Sequence, residues 1–381
     1  MKKLIALLLA LVMIVGLVAC GEKTSVETPD TNKPAETPDT NKPADTDEPA
    51  TPEKLYIPVM AKGFQHQFWQ AVKAGADAAA ADLGVEIYFD GPASETEIAA
   101  QVNMIKQEMA KNPQAMALAA LDTSAVADIL DECAEKNIPV IGFDSGVPGD
   151  TSGAVKATAC TNNEAAAAIA AEKFGEHADL VAAMKAATTE SPVIIAVLSQ
   201  DAVSASVTGR TTGFVNKMKE VASQYGTVAV TGHTKWAEGD ASAASILIEV
   251  AVSATTEAVD VQNSANALLA KENLIALFCS NEGTVTGFLS AVADGELLAD
   301  GEKYADLVVA GFDAGAAQKN AVRQGWFYGS VTQDPYHIGY YAVEMAVAAA
   351  KGETVADKDT GAQWYDASNI DDEMIALLVY D

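Results

Sequence analysis

Two short stretches of this chain say nearly the same thing. Ile138 to Gly146 reads Ile-Pro-Val-Ile-Gly-Phe-Asp-Ser-Gly, and Leu307 to Gly315 reads Leu-Val-Val-Ala-Gly-Phe-Asp-Ala-Gly. Each is an apolar run that stops abruptly at Gly-Phe-Asp and a Gly turn, the pattern of a strand buried on both faces. An aspartate there stands at the strand's carboxyl end, which is where open α/β sheets bind ligands. Two such carboxylates therefore predict two similar lobes facing one cleft. Taken singly, Asp144 or Asp313 equally suits an N-cap of the helix that follows.

The pattern between these stretches agrees. Apolar runs over 54–61, 85–89, 115–120, 139–143 and 155–160 alternate with helical stretches over 68–83, 96–111 and 124–136. This succession predicts a parallel sheet with right-handed crossovers. The second half repeats the scheme, with helices expected over 163–185, 209–225, 241–252, 284–294 and 316–324, and strands over 193–198, 227–231, 275–279, 307–312 and 327–331. Pro335 opens one more helix to Lys351, and Ala362 to Tyr380 alternates as a late strand or two.

The N-terminal segment has a different character. Lys2 and Lys3 precede an apolar run from Leu4 to Val18, too short and wrongly flanked for a spanning helix, which reads as an export signal over 1–19. Leu17-Val18-Ala19-Cys20 matches the bacterial lipobox, which implies cleavage before Cys20 and lipidation of its thiol. From 20 to 53 the unit Glu-Thr-Pro-Asp-Thr-Asn-Lys-Pro-Ala occurs twice and then decays. With almost no large apolar residue this segment cannot offset its own ordering entropy, so it reads as a tether.

The formal net charge of −29 argues against nucleic acid as a partner, because phosphate backbones are held by Lys and Arg. Beyond Cys20 there are three cysteines, Cys133, Cys160 and Cys279, each in an apolar context that suits a buried thiol better than a disulfide. Four histidines, His66, His177, His233 and His337, form no His-Glu-x-x-His motif. Metal-spaced Cys pairs and a Gly-x-Ser-x-Gly elbow are also lacking, so a cleft hydrolase is the weakest reading and neither metal nor cofactor is expected.

From Lys54 onward the chain resembles the sugar-binding proteins of ABC importers, the ribose-binding-protein-like group that shares its fold with the ligand domains of LacI-type repressors. The resemblance implies a periplasmic binding protein type I fold, α/β, with two Rossmann-like lobes of parallel sheet joined by a three-stranded hinge. One lobe is expected over 54–161 plus 334–362 and the other over 162–333 plus 363–381, with crossings near 161–163, 333–335 and 362–366.

Carried onto this chain, the resemblance places His66, Phe68 and Trp69 of Phe64-Gln65-His66-Gln67-Phe68-Trp69 in the cleft, together with Asp144, Arg210, Trp236, Asn281, Phe312, Asp313 and Gln333. Carboxylates, Arg, Asn and Gln bridge neighbouring hydroxyls, and flat rings cover the C–H faces of a sugar. Where this group often has Asn the chain has His66, and where ribose binders have Arg after the aspartate it has Ser145, so ribose itself is not implied. The implied partners are a monosaccharide or small polyol, an ABC permease and a lipid anchor at Cys20, with the protein a monomer. A sensor module for furanosyl ligands or chemotaxis fits the same residues.

Overall fold

In the computed structural model, residues 54–380 are described; the export signal, Cys20 and the tether lie outside them. The chain runs β1 (Tyr56–Met60), α1 (Phe68–Leu83), β2 (Glu86–Asp90), α2 (Ile98–Met109), β3 (Met116–Leu118), α3 (Ala127–Glu135), β4 (Val140–Phe143) and β5 (Val155–Cys160). It continues through α4 (Asn163–Glu176), α5 (Ala178–Ala186), β6 (Val193–Ser199), α6 (Ala205–Ala222), β7 (Val228–Gly232), β8 (Ile246–Val252), α7 (Ala258–Leu269) and β9 (Leu274–Cys279). Then follow α8 (Glu282–Ala291), β10 (Val308–Phe312), α9 (Ala316–Arg323), β11 (Gly329–Gln333), α10 (Pro335–Ala350), β12 (Lys358–Asp359), β13 (Ala362–Tyr365) and α11 (Glu373–Ala376).

The strands form two sheets, ordered β12-β5-β4-β3-β1-β2 and β13-β11-β10-β9-β6-β8-β7. All pairings are parallel except that of β13 with β11. Each sheet is a doubly wound layer whose order reverses beside its first strand, β1 or β6, and that reversal opens a crevice at the carboxyl ends of the strands. The chain passes between the sheets three times: after β5 at Thr161, after β11 at Asp334, and between β12 and β13 at Thr360–Gly361. The last passage falls just before the expected segment.

Several expectations are corrected. Residues 241–252, expected as a helix, hold β8, whose Ile246, Ile248 and Val250 are buried while the residues between them are half-buried. The Ala and Ser residues before β8 imitate a helical window, but the β-branched alternation decides the outcome. The single helix expected over 163–185 breaks at His177, whose backbone is extended. Helix α7 is an element the periodicity did not supply, and the tail beyond β13 closes in the short helix α11 rather than a second strand. Cys133 and Cys279 are buried free thiols, whereas Cys160 is only half-buried.

Ala-rich helices let backbones come close. In α1 and α10, Gly75 faces the Tyr336 carbonyl and Gly339 faces the Val72 carbonyl, at places where a Cβ would lie 1.8 Å and 1.9 Å from the oxygen. In the other lobe Gly213 of α6 meets the Glu164 carbonyl of α4 in the same way, with 2.1 Å to an added Cβ. Both helices that enter a lobe from a crossing, α4 and α10, are thus seated by glycine contact. Gly339→Ala is expected to lower unfolding free energy by about 1 to 3 kcal/mol through overpacking, as measured by urea denaturation, with the strand content unchanged by circular dichroism.

Candidate functional site

The carboxyl ends of the strands bring polar side chains of both lobes to one cavity. Its walls are Lys62, His66, Phe68, Trp69, Glu95, Asp144, Val207, Arg210, Asn281, Glu282, Asp313 and Gln333, and it encloses about 300 Å³ counted to its open mouth. Lys62 follows β1, Glu95 follows β2 and Asp144 follows β4; Asn281 and Glu282 follow β9, Asp313 follows β10 and Gln333 ends β11. Asp144 and Asp313 both adopt left-handed backbone, with φ of 52° and 78°, a conformation sparsely used by residues other than glycine and often found at functional sites.

Each lobe supplies a buried ion pair. Lys62 Nζ lies 3.3 Å from Asp144 Oδ2, and Arg210 Nη1 lies 3.4 Å from Asp313 Oδ2. Arg210 is fixed further by donating from Nε to Asn163 Oδ1 at 2.8 Å, and its guanidinium stacks 4.0 Å from the centre of the Phe312 ring. Asp313 Oδ1 accepts from Gln333 Nε2 at 2.7 Å, and Oδ2 accepts from the Glu282 amide at 3.0 Å. Neither aspartate caps the helix after it: the N-cap of α9 is Gly315.

Glu95 ties the lobes together. Its Oε1 accepts from Trp69 Nε1 at 3.0 Å, and its Oε2 accepts from Gln200 Nε2 of the opposite lobe at 2.9 Å. Gln200 in turn accepts from the Asn281 side-chain amide, while Asn281 Oδ1 caps α8 by accepting from the Thr284 amide. Gln333 Oε1 is buried with no hydrogen-bond partner within the protein, and Asp144 Oδ2 has only the Lys62 ammonium at 3.3 Å. Such atoms carry a desolvation cost that a donor-bearing ligand removes.

Burial alone would depress the Lys62 ammonium, but Asp144, Glu95 and Asp201 outweigh it and hold the group above its ordinary value. Burial likewise acts to raise Glu95, and Lys62, His66 and the Trp69 and Gln200 hydrogen bonds bring it below the usual carboxylate range. Glu282 and Asp201 are pushed up, in both cases chiefly by burial.

Of the ten residues expected in the cleft, His66, Phe68, Trp69, Asp144, Arg210, Asn281, Asp313 and Gln333 line this cavity. Phe312 does not; fully buried, it is the platform beneath Arg210. Trp236 does not either. It follows β7, an edge strand separated from β6 by β8, and its Nε1 donates to Thr212 Oγ1 at 2.9 Å while the ring packs on the lobe's core. Its place in the cleft was implied by the resemblance alone, and β8, inserted between β6 and β7, sets its loop away from the cavity. Lys62, Glu95, Val207 and Glu282 line the cavity without having been expected there. For Lys62 and Glu95 the signal was available, since each lies in the loop after a strand of the first sheet, as Asp144 does. Ser145, where ribose binders have Arg, turns its hydroxyl to the Ala120 carbonyl at 2.9 Å.

Two doubly wound lobes, three crossings and one polar cavity walled by both define a two-lobed binding protein of the type I class. The chain belongs to the periplasmic binding protein domain family, whose profile matches residues 57–354. It is 25% identical over 309 residues to the D-allose-binding periplasmic protein of Escherichia coli strain K12, covering 79% of this chain and 86% of that one. Among solved structures it is similar to the ABC transporter, LacI family transcriptional regulator of Brachyspira murdochii, with 41% identity, a TM-score of 0.73, and 86% and 99% of the two chains covered. It is also similar to a carbohydrate transporter solute-binding protein of Agrobacterium radiobacter in complex with D-arabinose, with 27% identity, a TM-score of 0.69, and 87% and 100% covered.

The carboxylate network sets the acid stability. A carboxyl held below its unfolded value contributes stability that is complete above the ordinary value of 4.5 and is lost as pH falls through the lower folded-state value. Glu95→Gln is therefore expected to lose stability at neutral pH and to show a flatter decline than wild type on acidification below 4.5, measured by urea denaturation. Lys62→Met, which leaves Asp144 and Glu95 buried without their cation, is expected to cost about 3 to 5 kcal/mol.

Proposed function

We propose that the protein captures a monosaccharide or similar small polyol between its lobes, outside the cytoplasm, and delivers it to the permease of an ABC importer. The observation that carries this reading is the convergence of Asp144 and Asp313, one from each lobe, on a single buried cavity, each beside its own cation. Because Lys62 and Arg210 already neutralise these carboxylates, the walls suit a neutral ligand rich in hydroxyls. Sugar O–H groups donate to Asp144 Oδ2 and Gln333 Oε1, sugar oxygens accept from Lys62 and Arg210, and Phe68 and Trp69 present ring surface to C–H bonds.

Delivery follows from geometry. Contacts to both lobes at once are made only with the cleft shut, so a bound sugar biases the lobes toward closure about the three crossings. The shut form is then the signal that the membrane partner reads. In this reading Cys20 carries the lipid that holds the protein at the membrane, and residues 20–53 hold the lobes away from it. The relatives support a pentose or hexose: one is named for D-allose, one holds D-arabinose, and a solute-binding protein of Agrobacterium vitis, 26% identical, holds D-fucose.

A thermal-shift screen of D-allose, D-arabinose and D-fucose is expected to raise the melting temperature with at least one of them, since a ligand at a hundred times its dissociation constant stabilises by about 2.7 kcal/mol. Calorimetry on Asp144→Ala and Asp313→Ala should show about 10- to 100-fold weaker binding for each, the cost of losing a hydrogen bond to a charged group. If no small polyol binds, or if X-ray scattering shows no contraction with a bound one, the reading fails. Cys20→Ser is expected to move the protein from the membrane fraction to the soluble fraction on cell lysis.

A further inference from the structure

Two helices that meet across the cleft lack N-caps of their own. Helix α1 begins at Phe68 with no side-chain cap from its N-cap residue Gln67 and no acidic residue in its first turn. Helix α9 begins at Ala316 behind Gly315, which has no side chain to offer. In each case the exposed backbone N–H groups at the helix start are bonded by a residue of the other lobe. Glu282 Oε1 accepts from the Gln67 amide at 3.2 Å, and Glu282 Oε2 accepts from the Phe68 amide at 3.3 Å. Reciprocally, Gln67 Oε1 accepts from the Ala316 amide at 2.9 Å. A carboxylate at a helix start also meets the positive end of the helix dipole.

We propose that Glu282 and Gln67 form a reciprocal latch, each lobe capping the first turn of a helix in the other, and that this exchange sets how readily the cleft shuts before a ligand contributes. The latch rests on the lobes moving as the proposed function requires. Opening the cleft strips both caps together and returns those amides to water; closing it restores both. The three bonds therefore stabilise one state of a two-state element, and apparent affinity scales with the population of that state. Glu282 and Gln67 act on affinity as positioning residues, by holding the lobes.

Gly315 gives a way to disturb the latch without touching the cavity, whose walls do not include it. Its φ of −67° is one that alanine adopts freely, yet an added Cβ would lie 2.7 Å from Glu282 Oε1 and 3.1 Å from Gln67 Oε1. A methyl group there wedges between the two capping side chains.

The test compares wild type with Gly315→Ala, Gln67→Ala, Glu282→Ala and Glu282→Gln. Hydrogen exchange of the ligand-free proteins, resolved by mass spectrometry over 66–72 and 313–320, reads the caps directly. The latch predicts that Gly315→Ala, Gln67→Ala and Glu282→Ala each speed exchange in both segments, by about fivefold, the equilibrium equivalent of one lost helix cap. Glu282→Gln, which keeps one of the two acceptor oxygens and sets an NH2 against the other amide, restores only part of the protection. Exchange that rises only in the segment whose own cap was removed, or in neither, overturns the proposal. In Gln67→Ala, whose side chain is not a cavity wall, dissociation of D-allose, D-arabinose and D-fucose is expected to quicken by a similar factor while their order of affinity stays as in wild type. A changed order in Gln67→Ala would also overturn it. If no sugar binds wild type but the paired exchange response is seen, the sugar reading falls and the latch stands.

Discussion

The structure depends on keeping charge out of water. Lys62, Glu95, Asp144, Arg210, Glu282 and Asp313 are all buried at the ends of the strands. Transferring ionised groups to such a place costs several kcal/mol each unless opposite charges and hydrogen bonds replace the lost hydration. Here Lys62 answers Asp144 and Glu95, Arg210 answers Asp313, and the Glu282 carboxylate is answered by the neighbouring His66 and by backbone amides. Both ion pairs lie within single lobes, whereas Glu282 takes its amides, and Glu95 one of its donors, Gln200, from across the cleft, so those two carboxylates are fully answered only when both walls are present.

The same arrangement explains the division of labour among the aromatic residues. Phe312 is expended beneath Arg210, where a ring face within reach of a guanidinium fixes its direction. Trp69 donates to Glu95 and packs edge-on against Phe68 and Phe143, so it belongs to the core of its lobe and to the cavity wall together. Tyr380 meets the Phe68 ring, accepts from the Ala314 amide at 3.4 Å and packs against core clusters of both lobes.

Much of this was legible in the sequence because parallel sheets impose it. The duplicated Gly-Phe-Asp-x-Gly stretches located both aspartates, and the alternation of apolar runs with Ala-rich helices gave the layers. What escaped was context. Residues 246–252 carry a period of two beside an Ala-rich segment that suggests a helix, and only their pairing with β6 and β7 resolves the conflict. Trp236 was carried into the cleft by the resemblance, which gave no sign that β8 lies between its strand and β6. Lys62 and Glu95 were overlooked because attention followed aspartates and rings, although the rule that ligands meet the carboxyl ends of strands applied to β1 and β2 as fully as to β4. Glu282 was beyond reach, since its role is defined by a helix more than two hundred residues away in the chain.

The way the chain threads the two lobes has a consequence for how it is made. Helix α10, which covers the first sheet and interlocks with α1 through Gly75 and Gly339, lies close to the C-terminus, and so does β12 at that sheet's edge. The early lobe therefore lacks a wall until every strand of the other lobe's sheet except β13 has been synthesised, so topology itself delays completion of the first lobe.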